Sequence, residues 1–152
     1  MELHTETDGE FKGWQSFPSE IFEYESAGPF FFKKLGDDYV ARFRAARKHM
    51  NAGGVTHGGC LMSFADFTLF AIAADHFKDN YGATVAFTCE FIQGSKEGDL
   101  IEGRGDVIRA GSSLVFVRGI ITGGGKPVLN FSGTLKKFKP RTDDYSAGKI
   151  PS

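Results

Sequence analysis

The stretch from Cys60 to Phe77 contains neither glycine nor proline and is apolar on nearly every side, with Leu61, Phe64, Ala65, Phe67, Leu69 and Phe70 leaving little room for a wet face. A surface helix keeps a polar stripe, whereas a segment that is apolar almost all round has to be enclosed. It begins at Gly58 or Gly59, after a run (51–59) in which four of nine residues are glycine, and it ends before Tyr81-Gly82. At ~1.5 Å per residue such a helix would be about 30 Å long and would cross a whole domain. One long enclosed helix requires a sheet that curls around it, because a flat one would leave the far faces in water.

The flanking sequence supplies the strands. Phe30 to Lys34 favours β structure, Gly36-Asp37 is turn chemistry, and from Tyr39 to Arg47 the residues Tyr39, Ala41, Phe43 and Ala45 alternate with Val40, Arg42 and Arg44. This reads as a hairpin with one charged face. After the helix, Val85, Phe87, Cys89 and Phe91 share one face, and Glu102, Arg104 and Asp106 share one face of a strand over 99–109. Leu114 to Thr122 and Leu129 to Lys136 follow, joined by TGGGKP at 122–127. Four consecutive strands with no helix between them require antiparallel pairing. The expected fold class is α+β, a long central helix wrapped by a curved antiparallel sheet. Residues 1–19 lack periodicity and read as a loosely held arm, 20–140 as the domain, and 141–152 as a polar tail.

Bulk properties exclude several functions. A net charge of -1 gives no field that would gather nucleic acid. Asp66, Asp75, His76 and Lys78 interrupt the most hydrophobic run before it reaches the roughly 20 residues of a membrane span. The acidic, polar start MELHTETDGE is no secretory signal, and Cys60 and Cys89 show no paired spacing, so a soluble protein of the reducing cytoplasm is expected. His4, His49, His57 and His76 share no ligand spacing, so no metal is expected. GGGKP has proline where a phosphate loop needs a hydroxyl, and GRGDVIRAG lacks the strand-to-helix setting of a dinucleotide fingerprint.

The chemistry concentrates in NAGGVTHGGCLMSFAD, residues 51–66. Amide groups at the start of a helix are unpaired donors at its positive end, suited to an oxygen that becomes anionic during acyl transfer. Gly58 and Gly59 let a substrate approach that backbone, and Asn51 adds a side-chain amide. Asp66, among aromatic neighbours, is a candidate to activate water or to attack directly. It stands eight residues beyond Gly58, about 12 Å along the axis, so the two can serve one substrate only if they come from different copies of the chain. Taken alone, HGG is a tight turn and a helical aspartate commonly caps a loop or pairs with a base; the combination N-x5-HGG-x6-D before a curved sheet is what points to acyl transfer.

With these residues, the segment from Gly28 to Lys139 resembles the PaaI-like, phenylacetate-type acyl-CoA thioesterases of the hotdog fold. The resemblance implies that the Gly58 amide, with Asn51 nearby, polarises the thioester carbonyl while Asp66 of the facing subunit acts as general base or nucleophile. His57 would shape the turn and steady Asn51 or the loop. Thr84 occupies a position where relatives often carry a serine that orients the aspartate or its water. VIRAGSSLVF (107–116) resembles the turn lining the coenzyme A groove, where Arg109, Ser112 and Ser113 would meet phosphate or adenine, with Lys136 and Lys137 as further phosphate contacts. The reaction implied uses no cofactor beyond the coenzyme A of its substrate, in a homodimer or a dimer of dimers. A non-catalytic acyl-CoA sensor and an acyl-thioester hydratase or dehydratase remain the alternatives. A small thiol on a buried helix, as at Cys60, reads as packing.

Overall fold

The computed structural model describes residues 3–78 and 80–139; the tail expected at 141–152 lies outside them. Eight strands form one antiparallel sheet: β1 (His4–Thr5), β2 (Gln15–Ser16), β3 (Phe31–Leu35), β4 (Asp38–Arg44), β5 (Tyr81–Phe91), β6 (Leu100–Ala110), β7 (Leu114–Gly123) and β8 (Lys126–Phe138), in the order β1-β2-β3-β4-β6-β7-β8-β5. A single turn, α1 (Phe22–Glu25), precedes β3, and the central helix α2 (Gly58–Ile72) lies in the hollow of the sheet. The architecture is the expected α+β one.

At 15 residues, or roughly 22 Å, α2 is shorter than its composition suggests. The chain leaves the helix at Ala73 for a short 3-10 turn, Ala74–His76, where Asp75 accepts hydrogen bonds from Lys34 Nζ at 2.9 Å and the Tyr39 hydroxyl at 3.1 Å. Those tertiary contacts override the local helical signal. Leu61, Phe64, Ala65, Phe67, Thr68, Leu69 and Ala71 are buried, and Phe64 meets Phe30 and Phe43 with ring centroids 5.2 and 4.8 Å apart.

The sheet curls because it lacks side chains where the helix presses on it. A Cβ on Gly133 would sit 2.3 Å from Leu69 Cδ1, and one on Gly103 would sit 2.6 Å from Thr68 Oγ1. Gly105 faces Gly119 directly across β6 and β7, and a Cβ on Gly105 would lie 2.0 Å from the Arg118 carbonyl oxygen. Leu69 thus fits into a hollow at Gly133, and the strands close up where two glycines meet.

Residues 4–16 are not a loose arm. Gln15 pairs with Phe32, so β2 extends the sheet beyond β3, while Trp14 is buried with Phe31 and Val40 on the outer face. Phe11 stacks on Phe31 at 4.5 Å, and the Arg42 guanidinium lies 4.9 Å from the Trp14 ring centre while pairing with Glu102 at 2.6 Å. The Phe30-Phe31-Phe32 run is divided accordingly: Phe30 and Phe32 join the core around the helix, and Phe31 supports the outer layer.

Candidate active site

The loop before α2 is a compact set of turns. The Asn51 side-chain oxygen accepts from the Gly53 amide at 2.8 Å and the Val55 amide at 3.3 Å, and the Asn51 amide reaches the Val55 carbonyl at 2.8 Å. Oδ1 is therefore committed to the turn, and the NH2 of the side chain is what Asn51 has to offer a ligand. His57 is the N-cap of α2, its Nδ1 accepting from the Gly59 amide at 2.9 Å. His57 thus shapes the turn at the helix start, and the Gly59 amide is already used. The Gly58 amide meets no protein acceptor among the described residues. A Cβ there would come within 3.1 Å of the Phe91 ring, so glycine is what allows that aromatic edge to lie over the helix start.

Eight residues further along, half-buried Asp66 lies on the wall of a cleft of about 340 Å³ with Phe22, Glu23, Met62, Ser63 and Phe87. The Thr84 hydroxyl donates to Asp66 Oδ1 at 2.5 Å. No lysine, arginine or histidine pairs with Asp66 among the described residues. Thr84 reaches it because β5 has a bulge at Val85, which leaves Thr84, Phe87, Cys89 and Phe91 toward the helix and Val85 exposed. This corrects the simple alternation expected through Val85.

The ladder Ala110, Val115, Leu135, Thr84 runs across β6, β7, β8 and β5, and it brings the β6-β7 hairpin to the same end of the sheet as Thr84. Arg109, Ser112, Ser113 and Lys136 gather there. Lys137 has a structural partner instead: its Nζ donates to the Gly111 carbonyl at 3.0 Å and its amide to the Ser113 carbonyl at 2.8 Å, latching the hairpin.

Residues 53–128, half of the chain, match the profile of the thioesterase superfamily. A candidate esterase of Pseudomonas aeruginosa is 31% identical over 110 residues, which cover 71% of this chain and 82% of that protein. The chain belongs to the thioesterase superfamily. Its fold, the hotdog fold, is shared with a hypothetical thioesterase of Streptococcus pneumoniae crystallised with coenzyme A, at a TM-score of 0.68 and 20% identity over 80% of this chain and 95% of that one. It is shared also with the E. coli PaaI protein from the phenylacetic acid degradation operon, at a TM-score of 0.65 and 23% identity over 74% and 81%.

Other groups in this thioesterase-family chain are structural. Burial pushes the Cys60 thiol up to about 11, the wrong direction for a thiolate nucleophile. Three residues that sequence reasoning passed over hold the loop in place. Buried Thr56 and Ser95 join hydroxyl to hydroxyl at 2.8 Å, and the Thr56 amide donates to the Ser95 carbonyl at 2.8 Å, clamping the loop to the chain after β5. His49, 4% exposed, accepts from the Ala46 amide at Nδ1 and meets the Gly28 carbonyl at Nε2, 3.2 Å away, while its own carbonyl receives the His57 amide. No sequence signal distinguishes these from ordinary loop residues, since their partners are distant in the chain.

Desolvation by burial holds the His49 imidazole below its usual 6.5, outweighing the backbone contact with Gly28. The unfolded chain therefore takes up this proton first, so the contribution to stability is full above about pH 6.5 and is lost as pH falls from there through the lowered folded-state value. Thermal melts should show wild type losing Tm as pH drops below about 6.5, with a shallower decline in His49→Asn. Parallel curves for the two proteins would remove His49 from the pH response.

Proposed function

We propose that the protein hydrolyses an acyl-CoA thioester to the free acid and coenzyme A, at a site shared by two copies of the chain. The observation that carries this reading is a carboxylate, Asp66, oriented by Thr84 on a cleft wall with no basic partner among the described residues, set about 12 Å along the same helix from the Gly58 amide. That separation exceeds the span of one thioester carbonyl. β5 supports a shared site, because it is the sheet's last strand, it exposes Val85 and Phe91, and it has no strand partner on its other edge among the described residues. Thr84 marks the level of Asp66 on this strand and Phe91 the level of Gly58. Antiparallel pairing of two β5 strands near Phe87 and Thr88 would set each Asp66 opposite the other copy's Gly58.

In this reading the Gly58 amide, with Asn51 beside it, stabilises the oxyanion. Asp66 takes the proton of a water that attacks the carbonyl carbon, the C–S bond breaks, and the thiolate recovers the proton. In the alternative course Asp66 itself attacks the carbonyl carbon, the C–S bond breaks to release the coenzyme A thiolate, and water then hydrolyses the mixed anhydride to the free acid and Asp66, its proton going to the thiolate. Arg109, Ser112, Ser113 and Lys136 are proposed to bind the coenzyme A phosphates or adenine. A panel of short, medium, long and aromatic acyl-CoA substrates, followed by thiol release, tests the reading. Mixing Asp66→Ala chains with Asn51→Ala chains, each inactive alone, should restore about a quarter of wild-type turnover, since half of freely exchanged dimers carry one intact site of two. Absence of rescue in dimers shown to be mixed would argue for a site within one chain.

A further inference from the structure

We infer that Glu23 sets acyl specificity by charge, so that the cleft takes acyl groups with a neutral or hydrogen-bond-donating tail and rejects those that end in a carboxylate. The inference rests on the thioesterase reading above and concerns which acyl-CoA esters it applies to. Two observations support it. The first is direction. Lys136 pairs with Ala83 and so lies toward the end of α2 that follows Asp66, while Arg109, through Phe116 and Thr134, stands level with Ala86. The apolar part of the cleft lies on the other side, where Met62 and Ser63 stand one turn before Asp66 and Phe22 and Phe87 close the walls. A thioester at Asp66 with its phosphates toward Lys136 would send its acyl chain toward α1.

The second observation is the charge found there. Glu23 is half-buried in the cleft that holds Asp66 and Ser63, where Phe22, Met62 and Phe87 supply the apolar walls, and its carboxylate has no ion-pair or side-chain hydrogen-bond partner among the described residues. Its position is fixed by the backbone, since its carbonyl accepts from the Phe30 amide at 3.0 Å and a Cβ on Gly28 would lie 1.9 Å from that same oxygen. An uncompensated negative charge beside an apolar path repels a second one strongly, because apolar walls screen it less than water does. It also accepts a hydrogen bond from a hydroxyl or ammonium group at the chain end.

The experiment compares kcat/KM for acyl-CoA esters of one chain length ending in a methyl, a hydroxyl or a carboxylate group, in wild type, Glu23→Gln, Glu23→Lys and Glu25→Gln. Wild type should prefer the methyl and hydroxyl esters over the carboxylate ester by about tenfold or more. Glu23→Gln should bring the carboxylate ester to near parity with the methyl ester, and Glu23→Lys should invert the order. Glu25, exposed on the same turn and outside the cleft, should leave the wild-type ratio unchanged when altered. If the methyl ester is hydrolysed and the ratio is the same in all four proteins, Glu23 is not the selector and the thioesterase reading stands without it. If wild type hydrolyses none of the three nor any ester of the broader panel, the reading and the inference both fall.

Discussion

Asp66→Ala is expected to slow thiol release from acyl-CoA by about 10³-fold, the scale of a lost general base or nucleophile, with little change in affinity for the ligand. The fold should tolerate it. Asp66 is half-buried and gives up one hydrogen bond, from Thr84, so the stability cost should stay near 1 kcal/mol. Asp66→Asn provides the stricter comparison, because its side-chain oxygen can still accept from Thr84 while the amide can neither take a proton nor attack. A similar loss in both variants, with Tm preserved in the asparagine protein, would assign the effect to chemistry. Wild-type turnover in either would remove Asp66 from the mechanism. Single turnover in 18O-labelled water adds a one-way test, since label in the Asp66 carboxylate would show that it formed the anhydride and that water attacked the Asp66 carbon.

Gly105→Ala should cost about 3 kcal/mol or more, an unusually large effect for one methyl group. The added carbon would fall 2.0 Å from the Arg118 carbonyl oxygen and 2.7 Å from Gly119 Cα, both backbone atoms that cannot rotate away. Only separation of β6 from β7 would make room, at the expense of ladder hydrogen bonds. Gly111→Ala is the matched control, because a Cβ there meets only the Leu114 carbonyl oxygen at an ordinary 3.5 Å. Equal denaturation midpoints for the two variants would show that the sheet relaxes at Gly105 and that the glycine pair does not set its curvature.

The features legible in the sequence were those whose cause is local. The absence of glycine and proline from Cys60 to Phe77, together with apolar residues all round, required an enclosed helix, and the helix required a curled sheet. Asp66 stood out because a carboxylate among phenylalanines needs an explanation, and HGG because glycines flanking a helix start expose its amides. What escaped depended on partners far along the chain. The glycines of GRGD belong to no nucleotide motif; their role beneath Thr68 and opposite Gly119 follows from strand register, which no local pattern encodes. Residues 4–16 lack periodicity since their order comes from Trp14 and Phe11 packing on Phe31 and Val40. The Lys137 amine rests on the Gly111 carbonyl, a contact set by strand register rather than by local pattern. Glu23 gave no signal at all, because the cleft it faces is assembled from three separate segments.

The hollow at Gly133 that receives Leu69 has a consequence for rate as well as for packing. Leu69 lies three residues from Asp66 on the helix, and Gly133 pairs with Phe87, three residues from Thr84 on its strand. This one peg therefore gauges how far the acid stands from the hydroxyl that aims it. Enlarging residue 133 would lift the spine off its bed and pull that pair apart, which on the proposed mechanism blunts turnover even in molecules that still fold.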